Sequence, residues 1–153
     1  MLAQDILTIN NQYKFQRSRE LFQRSRGLRL RKSVPMRARF DLEDRLVAFA
    51  ADVIVFTRSI VKEYASDRIR EQITRSSMSS ALNYGEAQAA ESRKDFRHKT
   101  SIVLKELKET RVGLKILARL NLGNQDDRNT LLQECKELSA IFATIIKRTT
   151  LEN

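Results

Sequence analysis

The stretch DLEDRLVAFAADVIVFTRSI, residues 41–60, decides the fold of this chain. Its large apolar residues recur at alternating intervals of four and three positions: Leu42, Leu46, Phe49, Val53, Phe56 and Ile60. This spacing predicts a long amphipathic helix, because residues three and four apart share a face when the helix turns about every 3.6 residues. Asp41 is suited to cap the N-terminus, since its carboxylate accepts free backbone amides. We expect the helix to end near Tyr64 or Ala65.

The same periodicity continues downstream and predicts three further helices. The second covers about residues 66–90, the third covers about 92–121, and the fourth follows the turn NLGN at 121–124. The expected N-caps are Ser66, Ser92 with Asp95 three residues later, and Asn124 or Asp126. Gly123 is available for a left-handed backbone conformation in that turn.

The second predicted helix differs from the others because its inward stripe is small and polar. Ser76, Ser80 and Ala87 occupy little volume, so we expect this helix in the tightest part of the core. Gly85 lowers helix propensity, and we expect a close backbone contact there to compensate. Short connections make consecutive helices antiparallel. The sequence therefore predicts an all-α, antiparallel up-down-up-down four-helix bundle over residues 40–150.

The composition supports a single helical domain and argues against other classes. A chain of 153 residues suits one core, and four Gly and one Pro are too few for an all-β fold. Cys135 is the single cysteine, so it cannot form an intramolecular disulfide, and a core role in a reducing compartment is expected. We find no signal-peptide pattern and no apolar run of about 18 residues, so we expect a cytoplasmic protein without a membrane span.

Positive charge concentrates in residues 1–39, which carry ten Lys or Arg against Asp5 and Glu20, a net charge of +8. The segment has few large apolar residues at helical spacing, so we expect a disordered basic arm. Two interpretations remain open. The arm could tether nucleic acid by neutralising phosphates, or Met36 could be the physiological start and the preceding residues an upstream extension.

Two longer runs, QITRSSMSSALNYGEAQAAESRKDF (72–96) and VLKELKETRVGLKIL (103–117), place polar residues where an ordinary bundle has leucine. Over about residues 40–149 the chain resembles the bacterial four-helix-bundle proteins encoded within intervening sequences of 23S ribosomal RNA genes. The matching residues are Gln72, Arg75, Ser76, Ser79 or Ser80, Asn83, Glu86, Glu106, Glu109 and Thr110. Two positions depart from the family pattern, since Ala87 replaces the usual Gly and Leu114 replaces a common aromatic residue.

The resemblance implies a ring-shaped homo-oligomer, commonly a pentamer, and an unassigned role for most members. It also implies an alternative, because a relative is the accessory protein of the reverse transcriptase in diversity-generating retroelements, where it binds the enzyme and nucleic acid. We therefore expect a non-enzymatic oligomeric scaffold or interaction protein. The alternative is an RNA-binding accessory protein of a reverse transcriptase, and no small-molecule substrate is expected in either case.

The first candidate site is a cluster of cations, expected around one end of the second and third helices: Arg68, Arg70, Arg75, Arg93, Lys94, Arg97 and Lys99. Repeated around a ring, such a cluster would hold nucleic acid through many weak phosphate contacts. The competing interpretation is an ordinary solvated face, since acidic residues are interspersed.

The second candidate site is a buried polar network on the same two helices, formed by Asn83, Glu86, Glu106 and Glu109. Buried carboxylates must be paired or hydrogen-bonded, so the network would fix helix register or subunit contacts. A catalytic acid–base pair would also need a pocket and a second chemical group, and the sequence shows neither.

The sequence carries no catalytic or cofactor-binding pattern. A di-iron bundle needs two Glu-x-x-His pairs, and the single histidine, His98, lies between Arg97 and Lys99 on a charged face. No Gly-rich phosphate loop, Ser-His-Asp set or Cys-His metal spacing occurs. We therefore predict no enzymatic activity, no cofactor and no metal site.

Overall fold

The computed structural model describes residues 42–151 of the chain, which form four helices. These are α1 (Leu42–Arg58), α2 (Tyr64–Gln88), α3 (Arg93–Arg119) and α4 (Gln125–Leu151). Each helix packs against the next, and α1 also contacts α4, so the four form the predicted antiparallel bundle. The predicted basic arm and the Asp41 cap lie outside the described residues. None of the four helices is long and apolar enough to cross a membrane.

The core forms where the apolar stripes of the four helices meet. The stripe that was read from residues 41–60 is entirely buried, each of its six apolar residues being at most 3% exposed. The largest fully buried side chains come from all four helices and include Phe49, Ile73, Leu107 and Phe142. The ring of Phe142 meets the ring of Tyr84 edge-on at 5.3 Å, so α4 and α2 also touch across the centre.

The turn between α1 and α2 begins earlier than predicted. α1 ends at Arg58 rather than near Tyr64 or Ala65. The hydroxyls of Thr57 and Ser59 donate to the carbonyls of Ile54 and Phe56 in the last turn, and side-chain bonds of this kind compete with continued helix.

The start of α2 also differs from the prediction, because Glu63 and not Ser66 is its N-cap. The Ser66 hydroxyl lies three residues into the helix and accepts a hydrogen bond from the Glu63 backbone N–H at 3.0 Å. A capping box therefore forms with its two side chains in the reverse order from the usual Ser-first arrangement.

The other predicted caps are confirmed. The Ser92 hydroxyl accepts from the Asp95 amide at 3.1 Å, and the Asn124 side chain accepts from the amides of Asp126 and Asp127. Gly123 has φ +75° in the turn before α4, as predicted. A Cβ at Gly123 would lie 2.6 Å from the ring of Phe56, so both conformation and space require glycine there.

The close contact expected at Gly85 is found instead at Gly113. A Cβ on Gly85 would meet only the Glu43 side chain at 3.6 Å, which is ordinary van der Waals contact, so that expectation is wrong. A Cβ on Gly113 would overlap the Cγ2 atom of Ile73. Ser76 of the small stripe on α2 contacts Thr110 of α3, and the low volume of this fully buried serine allows the two helices to approach closely.

The two glycines predict opposite effects of the same substitution. Gly113→Ala should lower the free energy of unfolding by about 1–2 kcal/mol, because overpacking against Ile73 outweighs the gain in helix propensity. Gly85→Ala should raise it by about 0.5–1 kcal/mol, because propensity improves without a clash. Urea denaturation followed by circular dichroism measures both. Equal stabilisation of the two variants would contradict the close α2–α3 contact.

Candidate functional site

The seven predicted cations do not form one cluster. Gln72 contacts Glu109 near one end of the α2–α3 pair, and Glu86 contacts Lys99 near the other, because the helices are antiparallel. The first end carries Arg68, Arg70 and Arg75, and the second carries Arg93, Lys94, Arg97 and Lys99. About 20 residues of α2 separate the two ends, which corresponds to roughly 30 Å. The predicted cluster is therefore wrong, although a nucleic-acid role for its members stays a prediction.

Most cations at the first end are already engaged on their own helix. Arg68 pairs with Glu71 at 3.5 Å, and Arg70 pairs with Asp67 at 2.5 Å. Arg70 also donates from Nε to the carbonyl oxygen of Thr57, which ties α2 to the end of α1. At the second end, the hydrogen bond from Lys99 to Glu86 raises the pKa of Lys99. These side chains stabilise the bundle locally more than they present free charge.

The predicted polar network is neither buried nor continuous. Its four members are Asn83, Glu86, Glu106 and Glu109. The Glu86 side chain is 57% exposed and pairs with Lys99, whereas Glu109 accepts a hydrogen bond from Gln72. Asn83 donates within its own helix, to the carbonyl of Ser79. The carboxylate contacts thus link α2 and α3 at two separate levels. The prediction of a single buried network is therefore wrong.

A buried polar contact between α2 and α3 lies elsewhere in the same motif. The hydroxyls of Ser76 and Thr110 are 2.7 Å apart and both residues are fully buried. Next to them, Gln72 reaches Glu109. Four of the polar residues in the two quoted runs therefore meet in cross-helix pairs, which explains why polar side chains occupy positions where leucine would be expected.

The net positive charge of the described residues comes from α3. This helix has nine Lys or Arg against three acids, a net charge of +6, whereas residues 42–151 together carry 19 against 15, or +4. Its cations follow a helical series of eight positions: Lys94, Arg97, Ser101, Lys105, Lys108, Val112, Lys115 and Arg119. The intervals of three and four place all eight on one flank. We call this flank the α3 basic stripe; sequence reasoning missed it, although the spacing was readable.

An apolar surface lies exposed on α1 and α2. The bonds from Gln88 to Glu43 and from Arg70 to Thr57 fix the register of the two helices. Val47 and Leu82 then lie at about the same level, Ala51 and Met78 lie one turn further along their helices, and Val55 lies two turns from Val47. The surface consists of Val47, Ala51, Val55, Met78 and Leu82, all exposed. We call it the α1–α2 apolar face, and a groove of about 780 Å³ runs beside it along α2.

A second apolar groove, of about 700 Å³, lies between α2 and α3. Ile69, Val112, Gly113 and Ile116 are among the residues that line it. Val112 and Ile116 are 55% and 43% exposed, so this groove also presents unburied apolar surface. The chain therefore has two distinct exposed apolar surfaces on different pairs of helices.

An ion cluster that the sequence reasoning missed joins α1 to α4. Arg45 donates to Glu134 at 2.5 and 3.0 Å and to Glu137 at 2.6 Å, and its side chain is only 8% exposed. Burial opposes the charge, but hydrogen bonds and Coulomb attraction from Glu134 and Glu137 outweigh it and raise the pKa of Arg45. The sequence feature that could have revealed this cluster is Arg45 itself, an arginine that lies next to Leu46 within the apolar stripe of α1.

The remaining reactive side chains are isolated. Cys135 is fully buried, which confirms its core role, and burial raises the pKa of its thiol to about 12 despite the nearby charge of Arg111. His98 is exposed on α3, as expected for a solvated histidine. Within residues 42–151 no group of three or more His, Cys, Asp or Glu side chains is arranged to hold a metal ion.

These features define a helical-bundle protein with exposed charged and apolar surfaces on its four described helices. Residues 38–144 match the family described as 23S rRNA-intervening sequence protein. The chain therefore belongs to that family.

A solved relative has the same fold. The crystal structure of a protein with unknown function from the S23 ribosomal protein family of Bacteroides thetaiotaomicron VPI-5482 is 30% identical to this chain, with a TM-score of 0.65. The similarity covers 70% of this chain and 99% of that protein. No curated protein matches the chain.

The Arg45 cluster predicts a marked loss of stability when its cation is removed. Arg45→Met should lower the free energy of unfolding by about 2 kcal/mol, because Glu134 and Glu137 are left close together without a counter-charge. Their partial exposure to water keeps the loss below that of a fully buried pair. Arg68→Met is the matched control, since its exposed pair with Glu71 should contribute less than about 0.5 kcal/mol. Similar urea midpoints for both variants would contradict a stabilising role.

Proposed function

We propose that this protein is a non-enzymatic interaction protein that assembles into a homo-oligomer through its α1–α2 apolar face. The exposure of that face is the observation that carries the proposal. Val55 and Leu82 are 61% and 65% exposed, and Val47 and Met78 are at least 44% exposed. Several exposed apolar side chains on adjacent helices of a bundle favour an interaction site, because leaving them in water is unfavourable.

The presence of a second apolar surface supports a ring rather than a two-fold dimer. A ring with an odd number of subunits cannot use a self-complementary patch, because each subunit must offer two different surfaces to its neighbours. The α1–α2 apolar face and the α2–α3 groove are two such surfaces. Because the resemblance to the family suggests five subunits, we propose a ring of five subunits.

The oligomer makes a direct prediction for mass in solution. The full chain should sediment at micromolar concentration as a multiple of 17.8 kDa. Met78→Glu combined with Leu82→Glu should reduce the mass to that of one chain, because two charges would have to be buried in the interface. Ala140→Glu is the control, since it adds a charge to an exposed position on α4.

Two results would count against the proposed assembly. A wild-type chain that sediments as a monomer would overturn it. A double variant that assembles like the wild type would show that the α1–α2 apolar face is not the interface. Circular dichroism of each variant checks that the helical fold is retained.

A second candidate function is a nucleic-acid-binding accessory protein for a reverse transcriptase, as the family resemblance suggests. The observation that favours it is the charge of α3, which carries a net +6 while the other three helices are close to neutral. A charged surface of this kind attracts polyanions, and repetition around a ring would multiply weak contacts.

This second candidate predicts retention of RNA that weakens steeply with salt. In an electrophoretic assay with structured RNA, the full chain should shift the RNA at about 50 mM salt and lose at least tenfold in affinity by about 200 mM, because bound phosphates release counterions. Absent retention, or retention that does not change with salt, would exclude the nucleic-acid role. Co-purification with a reverse transcriptase encoded by a neighbouring gene would test the enzyme partner independently of the RNA assay.

A further inference from the structure

We propose that the α3 basic stripe binds the phosphate backbone of double-stranded nucleic acid. The inference rests on the second candidate function and specifies the surface and the class of ligand. It replaces the predicted end cluster with a different set of residues: Lys94, Arg97, Lys105, Lys108, Lys115 and Arg119. All but the half-buried Arg97 are exposed.

The six cations of the stripe are not engaged by carboxylates. Within the described part of the chain none of them forms an ion pair, in contrast to Arg45, Arg68, Arg70 and Lys99. Their charge is available to a ligand. A cation that already has a partner must break that contact before it binds phosphate, whereas these six need not.

The acids of α3 lie away from the stripe. Glu109 contacts Gln72 of α2, and Glu106 falls on the same side of the helix because it is three residues away. The stripe faces outward, away from the buried residues of α3, and its members Lys108 and Val112 border the α2–α3 groove. On α4, Glu134 and Glu137 are turned to Arg45 of α1. Glu134 and Glu137 are therefore directed away from the stripe, and Glu109 shares the lining of the α2–α3 groove with Lys108 without forming an ion pair with it.

The stripe matches the dimensions of a duplex. From Lys94 to Arg119 it covers 25 steps of a continuous helix, which is about 37 Å. One turn of duplex DNA rises about 34–36 Å along its axis, so a helix lying parallel to that axis spans the length of about one turn. Successive stripe positions are about 4.5–6 Å apart along the helix, which spreads the charge evenly over that length.

The chemistry of the stripe favours a duplex over a single strand. Binding of unpaired strands depends on aromatic side chains on which bases stack. The stripe has none, and its two uncharged positions are Ser101 and Val112. In the described residues the exposed large aromatic side chain is Tyr64, which belongs to α2 and lies against Arg68. Contact with the outer phosphates alone predicts binding that does not depend on base sequence.

The test compares two variants of the full chain that lose the same charge. The stripe variant combines Lys94→Gln, Lys105→Gln and Lys115→Gln, and the control combines Lys62→Gln, Lys147→Gln and Arg148→Gln, all at exposed positions. Fluorescence anisotropy measures Kd for a 24-base-pair RNA duplex, the matching DNA duplex and an unstructured single strand, across a salt series. The N-terminal basic segment is present in every protein, so the comparison isolates α3.

The wild type should bind at least one duplex about tenfold more tightly than the single strand. The stripe variant should bind that duplex about tenfold more weakly at 100 mM salt and lose about three from the slope of log K against log salt. The control should change less than about threefold. The duplex with the lower Kd, RNA or DNA, identifies the type of nucleic acid that the stripe prefers.

Three results would overturn the inference about the stripe. Each of them can be distinguished from a result that refutes nucleic-acid binding altogether. Equal losses in the two variants would show that total charge, and not the stripe, determines binding. A preference for the single strand would exclude a duplex ligand, and unchanged binding by the stripe variant would place the contact elsewhere. If the wild type binds none of the three probes at low salt, the nucleic-acid function itself fails. Sedimentation of both variants confirms that their assembly is unaltered.

Discussion

Close packing between α2 and α3 is the constraint on which the rest of the structure depends. Gly113 lies so near Ile73 that no Cβ fits between them, and the facing residues of α2 are serines with little volume. This approach leaves no room for water, so polar groups there must satisfy one another. Ser76 and Thr110 do so across the interface. The small and polar residues of the motif are therefore those that a close contact between two helices requires.

The rotation of α3 about its axis follows from that contact. With Gly113 and Thr110 held against α2, the acids Glu106 and Glu109 fall on the α2 side, and the series from Lys94 to Arg119 turns outward, away from the buried residues of α3. Charge separation on α3 is thus a consequence of packing as well as composition. The α1–α4 contact completes the arrangement, because Arg45 draws Glu134 and Glu137 away from the α3 side.

The sequence predicted the fold well because periodicity and short turns report on the backbone directly. The buried stripe of α1, the caps Ser92 and Asn124, and the left-handed Gly123 were all readable. Helix ends were less predictable, since Glu63 and Ser66 exchange bonds in an order that residue preferences do not specify. The candidate site failed for a topological reason. Residues near 70 and near 95 are close in sequence, but a long helix carries them to opposite ends of an antiparallel pair.

The location of the two proposed surfaces bears on whether they can act together. The α1–α2 apolar face and the α3 basic stripe lie on different sides of the bundle, because α2 has α1 on one side and α3 on the other. Assembly through the first surface therefore leaves the second exposed on every subunit. The stripe does border the other apolar surface, the α2–α3 groove, because Lys108 and Val112 belong to the stripe and also line that groove. A neighbouring subunit seated in that groove would bring its own surface next to the stripe, so assembly and polyanion binding would be linked through this one lysine.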